Sequence, residues 1–192
     1  GLAPIDRLME AGVNVSLGTD GCGSVETVDM HKTMCDAALV NKLRSAEHNR
    51  WWGAYEAFRC ATQGGARALG RANELGTLAV GCLADLAAYR LDGPAFAPLN
   101  DATRQLVYAE QGRDLQFVMV EGAVVLRDGC LTTVTEQRVW ERVHSVHAEL
   151  EPHIAEAERL AERIVPAYKR ILARCAATDI ASDTYTARLP DE

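Results

Sequence analysis

The sequence predicts an α/β fold, and three observations lead to this class. The first part of the 192-residue chain alternates helical and strand patterns, which is typical of βα units. Residues 115–134 carry two tight-turn signals between apolar runs, which predict antiparallel strands. Residues 135–176 repeat apolar side chains at helical spacing. We therefore expect an α/β section over 1–72, a β-rich section over 73–134, and a helical extension with its tail over 135–192.

The N-terminal section is predicted to contain a helix, a strand and a second helix in that order. In the segment APIDRLMEAG, Pro4 suits a first helical turn and Gly12 suits a helix end. The segment VNVSLGTDGCGS, which begins at Val13, alternates apolar and polar side chains and predicts a short strand over 13–17. A loop of small residues follows. Residues 28–39 then place apolar side chains on one face of a predicted helix.

Residues 51–70 also carry a helical pattern. It predicts a helix through about Thr62, a break at Gly64 and Gly65, and one more helical turn ending at Gly70. The bulky side chains of this segment are expected to pack in the core: Trp51, Trp52 and Phe58.

The β-rich section begins near residue 75 with short apolar pieces between glycines. Its clearest part is LQFVMVEGAVVLRDGCLTTV, where Glu121-Gly122 and Asp128-Gly129 separate apolar runs. Two-residue turns of this kind favour hairpins. We expect three consecutive strands in an antiparallel meander.

The C-terminal extension is predicted to be helical from residue 135 to 176, because apolar side chains form a continuous stripe. Pro152 and Pro166 lie inside this pattern. Proline lacks a backbone N–H and its ring clashes with the preceding turn, so we expect these residues to kink or divide the helix.

Composition narrows the possible functions. The formal net charge is −7 and the 20 Lys and Arg residues form no cluster, whereas phosphate binding needs clustered cations. No apolar run approaches the roughly 20 residues that span a bilayer, and the first residues lack the pattern of a secretory signal. The six cysteines are widely spaced, so we expect buried, reduced thiols. We predict a cytoplasmic protein without a nucleic-acid or membrane partner.

Asp20 closes the predicted strand and has two interpretations. A carboxylate at this place can cap the following helix, and the bare pattern favours this role. It can also hold a divalent metal that lowers the pKa of bound water toward neutrality. The wider context favours the second interpretation.

Five segments in order carry a resemblance to a known family: AGVNVSLGTDG, VDM, ATQGGARALG, LGTLAVGCLADLAAY and LVYAEQGRDLQFVMVEGAVVLRDG. Together they resemble the C-terminal part of the amidohydrolase superfamily. Within it, the resemblance is to the branch that contains cytosine, guanine, 8-oxoguanine and S-adenosylhomocysteine deaminases and the triazine hydrolases. It covers roughly residues 1–134.

The resemblance implies a (β/α)₈ metallohydrolase barrel whose eighth strand is 13–17, with active-site groups at the C-terminal ends of its strands. Residues from about 75 to 134 would form part of a small β-sandwich beside the barrel. Asp20 falls on the family's strand-eight aspartate, which implies a catalytic residue and a ligand of one divalent metal, zinc or iron. The implied activity is hydrolysis of a non-peptide carbon–nitrogen bond in a small N-heterocycle by a metal-activated water.

The other metal ligands that the resemblance implies do not occur in this sequence. The family's His-x-His pair, further histidines and a second acid all precede the strand-eight aspartate. The five histidines here all follow Asp20: His31, His48, His144, His147 and His153. For His144 and His147, which are spaced i,i+3 among acidic residues, we favour a solvated or interface face over a metal site. His31 is a minor candidate for a substrate contact.

One carboxylate cannot complete the ligand set of a catalytic zinc. We therefore expect a fragment of a longer enzyme that is inactive alone. It would associate with the missing N-terminal portion or with further copies of itself through exposed apolar faces. Two other interpretations are a non-catalytic binding or oligomerisation module derived from such an enzyme, and a thiol enzyme that uses Cys22.

Overall fold

The computed structural model describes residues 3–25 and 27–177. One compact unit extends to Cys130, and a second begins at Leu131. The predicted border near residue 72 stays a prediction, and the predicted tail beyond residue 177 lies outside the described residues. The helices are α1 Ile5–Glu10, α2 Met30–Val40, α3 Ala54–Arg59, α4 Gly65–Ala68, α5 Ala102–Tyr108 and α6 Glu136–Ala177. The strands are β1 Leu86–Tyr89, β2 Leu115–Val120, β3 Ala123–Arg127 and β4 Cys130–Leu131.

The core of the first unit lies where α2, α3 and α5 meet. Its buried side chains are mostly small, which lets the helices approach closely: Met34, Ala38, Ala54, Ala57 and Val107. Leu17 and Phe58 pack against this core. Trp52 is buried as predicted, whereas the prediction for Trp51 is wrong, because this side chain is exposed. Leu17 therefore anchors the segment that leads to Asp20.

Residues 13–17 form no hydrogen-bonded strand, so the strand prediction is wrong in this respect. A strand needs a neighbouring strand, and the sheet in the described part of the chain joins β1 to β4 only. The segment runs instead against the helix that follows α3. The Asn14 Nδ2 atom donates to the Gly64 carbonyl at 3.0 Å, and Arg67 donates to Asn14 Oδ1 at 3.3 Å.

Gly64 does not break the helix, which corrects the prediction made from the Gly64-Gly65 pair. Residues Cys60–Gly64 form a π-helical turn that continues α3 into α4. A Cβ atom at Gly64 would lie 2.3 Å from the Val15 carbonyl oxygen. Glycine is required here by close backbone approach and not by a turn.

The predicted meander is confirmed. The sheet order is β1-β2-β3-β4, and β2 pairs antiparallel with both β1 and β3. The two predicted turns have positive φ at both central residues, with Glu121 at 47°, Gly122 at 81°, Asp128 at 52° and Gly129 at 75°. This conformation is typical of type I′ hairpin turns, whose twist matches that of the strands.

Asp114 is a fully buried carboxylate that orders the segment between β1 and α5. It accepts hydrogen bonds from the Arg90 side chain at 3.3 Å and from the Ala95 backbone N–H at 3.1 Å. The Gly93 backbone lies so close that a Cβ atom there would overlap the Asp114 carboxylate. The sequence pattern predicts neither this arrangement nor α5.

The second unit contains the 42-residue helix α6, and both prolines lie inside it. The expected division at Pro152 and Pro166 is therefore wrong. At a rise of 1.5 Å per residue, such a helix is about 63 Å long. Its apolar side chains are largely exposed.

The cysteines are all free, and Cys60 is the one that is buried. The prediction of buried thiols is therefore wrong for Cys22, Cys130 and Cys175, which are exposed. In residues 3–25 and 27–177, no helix combines the length and apolarity needed to cross a membrane.

Gly64→Ala should destabilise the first unit by about 1–3 kcal/mol, because a core-facing methyl group forces the helix away from Val15. Gly65→Ala is the matched control, since a Cβ atom there meets nothing within 4 Å. That control should stabilise the helix by about 0.5–1 kcal/mol. Urea unfolding of the two variants checks this, and equal effects would contradict the close approach.

The ion pair between Asp6 of α1 and Arg44 should make stability fall at low pH. The Nε atom of Arg44 lies 3.0 Å from Asp6 Oδ1. Burial acts to raise the pKa of Asp6, but the hydrogen bond and charge of Arg44, together with hydrogen bonds from the backbone N–H groups of Arg7 and Asp6, outweigh it and the pKa is lowered. A lowered pKa in the folded state gives stability that is present above the usual value of about 3.9 and is lost as pH falls through the folded-state pKa.

Unfolding of the wild type and Asp6→Asn should therefore differ at pH 6 and converge as the pH approaches about 2. Asp36→Asn, which breaks an exposed pair with Lys32, should change stability little at either pH. A constant difference between wild type and Asp6→Asn over this range would contradict the assignment.

Candidate functional site

An open groove of about 410 Å³ contains Asp20 at one side. One wall consists of loop residues at positions 18–20, 25 and 27, and the other is a single face of α2. The loop supplies Gly18, Thr19, Asp20, Val25 and Thr27, and α2 supplies Lys32, Thr33, Asp36, Ala37 and Val40. Positions 33, 36, 37 and 40 follow helical i, i+3, i+4 and i+7 spacing, which explains why they share one wall.

The Asp20 side chain is held by its own backbone. Asp20 has φ of 62°, in the left-handed region that is uncommon for residues other than glycine. The Gly21 N–H donates to Asp20 Oδ1 at 2.7 Å, and the Thr19 hydroxyl donates to the Asp20 carbonyl at 3.1 Å. Asp20 is exposed. The loop therefore fixes the carboxylate at the groove edge instead of burying it against α2.

Asp20 does not cap α2. Asp29 is the N-cap, and its Oδ1 atom accepts from the backbone N–H groups of His31 at 2.8 Å and Lys32 at 3.4 Å. The capping interpretation of Asp20 is wrong for this helix, because the cap is supplied nine residues later.

His31 belongs to a polar network on the other side of Asp29. Its Nδ1 atom lies 3.1 Å from Asp29 Oδ1, and its Nε2 atom lies 2.9 Å from the Tyr89 hydroxyl. Burial and the negative charges of Glu110 and Asp29 raise the pKa of Tyr89. His31 is not one of the described residues that line the Asp20 groove. The network joins α2 to β1, and its part in substrate contact stays a prediction.

Lys32 and Asp36 are the charged groups of the groove that sequence analysis missed. They form an ion pair across one turn of α2, and the Asp36 carboxylate raises the pKa of Lys32 through a hydrogen bond and its charge. Their i,i+4 spacing after the Asp20 loop is the signal that could have identified them. Tyr89 had no such signal, because it lies 58 residues from His31.

A single carboxylate oxygen fits one position of a zinc or iron site, which accepts Asp together with imidazole ligands. Among residues 3–25 and 27–177, no group of three or more His, Cys, Asp or Glu side chains is arranged to hold a metal ion. His144, His147 and His153 are exposed on α6. The described residues therefore supply one candidate ligand, Asp20.

The resemblance places Asp20 at the end of a barrel strand, whereas the structure places it in a loop at the edge of an open groove. The sequence profile of the amidohydrolase family matches residues 1–125. The chain belongs to the amidohydrolase family, and the predicted family is confirmed.

Known relatives agree with this assignment. The chain is 37% identical over 152 residues to a 5-methylthioadenosine/S-adenosylhomocysteine deaminase of Syntrophobacter fumaroxidans, covering 79% of this chain and 34% of the relative. A zinc-bound adenosine deaminase from Xanthomonas campestris superposes with a TM-score of 0.75 and 30% identity, over 79% of this chain and 34% of that structure.

A zinc complex of atrazine chlorohydrolase from Arthrobacter aurescens TC1 gives a TM-score of 0.71 with 31% identity, over 76% of this chain and 32% of that structure. The chain thus spans about a third of the length of its relatives. Its α/β fold is similar to the corresponding part of these enzymes.

Asp29→Ala should destabilise the chain by about 1 kcal/mol, because α2 loses its N-cap. Asp29→Asn is the matched control, since asparagine caps helices about as well as aspartate. Thermal unfolding followed by circular dichroism measures both. If the two substitutions cost the same, the charge of Asp29 and its contact with His31 would matter more than the cap.

Proposed function

We propose that this chain supplies the C-terminal part of a metal-dependent aminohydrolase with a (β/α)₈ barrel. In this assignment residues 1–72 are the C-terminal end of the barrel, with 13–17 as its last strand. Residues 73–134 contribute to the flanking sandwich, and residues 135–192 are an appendage. The family match over residues 1–125 supports it, as does the span of about a third of the relatives' length. Residues 13–17 would then find their neighbouring strands in the rest of the protein.

Asp20 is the residue that we propose carries the chemistry of this chain. The observation that supports this most directly is its place at the edge of an open groove, in a strained backbone conformation, three residues after the core-anchored Leu17. Strained residues of this kind cluster at functional sites. A divalent metal, zinc or iron, would supply a water of lowered pKa. The Asp20 carboxylate would hold the metal and accept the proton of that water.

The proposed substrate is an adenine nucleoside. Water would replace the exocyclic amino group of the adenine ring with oxygen and release ammonia. Relatives named as methylthioadenosine, S-adenosylhomocysteine and adenosine deaminases support this class. From this chain, Lys32, Thr33 and Asp36 would present polar groups to the part of the substrate that enters the groove.

The chain alone is proposed to be inactive, because Asp20 is one ligand and catalytic zinc takes three protein ligands with an open position. Association with the N-terminal portion of the enzyme would complete the site. The six free cysteines favour a reducing compartment, and the cytoplasm is the proposed location.

The test is to express the reading frame that contains this chain, extended upstream, and to measure ammonia release from adenosine and 5′-methylthioadenosine together with zinc and iron content. Asp20→Asn should lower the rate by about 10²–10⁴-fold and reduce bound metal. Asparagine tolerates the left-handed conformation, so the loop is kept.

Asp128→Asn is the matched control, because Asp128 is also an exposed aspartate with positive φ but lies in a hairpin turn. It should leave rate and metal content unchanged. Full activity and metal content in Asp20→Asn would overturn the assignment. Activity of the 192-residue chain alone would overturn only its proposed dependence on further residues.

A non-catalytic module is the second candidate, and the exposed apolar side chains of α6 favour it. It predicts that the extended protein binds no stoichiometric metal and still self-associates. Cys22→Ser tests the interpretation as a thiol enzyme. Loss of activity in this variant, for an activity that does not depend on metal, would support that interpretation.

A further inference from the structure

The helix α6 carries an apolar stripe along its whole length. Its members are Val139, Val143, Val146, Leu150, Ile154, Ala157, Ala161, Ile164, Tyr168, Ile171 and Cys175. Successive members are three or four residues apart, and the ten steps cover 36 residues, so the stripe stays on one face of a 3.6-residue helix. Stripe residues near both ends of the helix are exposed. Val139 is 43% exposed and Ile171 is 55% exposed.

Further large side chains widen the stripe. Trp140, Leu160, Val165 and Leu172 lie beside it and are 40–60% exposed. Monomeric proteins rarely expose an apolar surface of this length, and such surfaces mark interaction sites.

Charge along α6 is divided between its halves. Residues 136–156 contain five Glu and two Arg, whereas residues 157–177 contain two Glu and five Lys or Arg. The first half therefore has a formal charge of −3 and the second of +3, with histidines neutral. In an antiparallel pair of α6 helices, the negative half of each helix lies against the positive half of the other. A parallel copy places like charges together, which is unfavourable.

We infer that α6 forms an antiparallel two-helix interface with a second copy of this chain, centred on Ala157. In this register four stripe residues on each side of Ala157 meet in pairs whose numbers are symmetric about it, and Ile154 meets the partner's Leu160, which lies beside the stripe. The pairs are Val139 with the partner's Cys175, Val143 with the partner's Ile171, Val146 with the partner's Tyr168, and Leu150 with the partner's Ile164. The same surface is used by both copies, as two-fold symmetry requires.

The small side chain at the centre supports this register. Two helices cross most closely at the two-fold axis, and Ala157 meets its own copy there. The large members of the stripe lie toward both ends. Eleven stripe residues from each copy, at roughly 60 Å² per buried side chain, give about 1,300 Å², which is within the range of stable dimers.

Disulfide trapping tests the orientation in the 192-residue chain. Val139→Cys should cross-link to the partner's Cys175 under copper–phenanthroline oxidation, and peptide mass mapping should identify that pair. Val139→Cys combined with Cys175→Ser is the control and should lose the cross-link. A parallel dimer would instead cross-link Cys175 to the partner's Cys175 in the wild type, which would overturn the inference.

Sedimentation equilibrium tests the interface itself. The molar mass measured for the wild type should be about twice the 20.9 kDa of one chain. Ile164→Glu, which places a charge in the stripe, should weaken the dimer by at least about tenfold. Ala173→Glu adds the same charge on the opposite face of α6 and should leave the dimer intact. Circular dichroism verifies that both variants keep their helix.

Two results would overturn the proposed surface. One is a monomer at every concentration, which would mean that another part of the same chain covers the stripe. The other is an equal effect of Ile164→Glu and Ala173→Glu, which would place the interface elsewhere. Weakening of the dimer by high salt, to a greater degree for the wild type than for Glu149→Gln, would support pairing of the oppositely charged halves.

Discussion

The first unit depends on the close contact between the backbone of Val15 and Gly64. The π-helical turn and Gly64 bring the helix against residues 13–17 without an intervening side chain. Asn14 adds a hydrogen bond to the Gly64 carbonyl, and Leu17 enters the core on the other side. These contacts, and not a sheet, determine where the chain turns at Asp20. The position of the candidate site therefore follows from helix packing.

This arrangement explains how a segment without neighbouring strands is held in place. Backbone groups of a lone strand lose the ladder bonds that a sheet provides, and exposed groups bond to water instead. Val13 and Asn14 are accessible to solvent, and the Val13 N–H donates to the Leu8 carbonyl at 2.9 Å. The same accessibility would let further strands pair here, which agrees with the proposed place of residues 13–17 in a larger barrel.

Local chemistry determined which elements could be predicted from the sequence. The hairpins of β2, β3 and β4 were predictable because Glu121-Gly122 and Asp128-Gly129 favour left-handed turns within two residues. The strand over 13–17 was not, since strand pairing depends on distant residues. The π-helical turn at Gly64 looked like a break, because a glycine pair resembles a helix end. Helix α5 was missed because seven residues give too little periodicity. Asp20 is identified through the family resemblance, whereas the i,i+4 spacing of Lys32 and Asp36 indicates an ion pair on α2 but does not by itself place that pair in a groove.

The stability of α6 needs an explanation, because the helix is long and contains prolines. Proline in a helix interior costs about 3 kcal/mol relative to alanine, and α6 contains two. Pairs such as Ser145 with Glu149, or Arg142 with Glu149, lie on the exposed surface and each contributes only tenths of a kcal/mol. Most helical stability in proteins comes from packing of an amphipathic face. Because each large side chain buried in the stripe is worth about 1.5–3 kcal/mol, a few pairs at a second copy would offset both prolines. The helix and its interface are thus expected to form together.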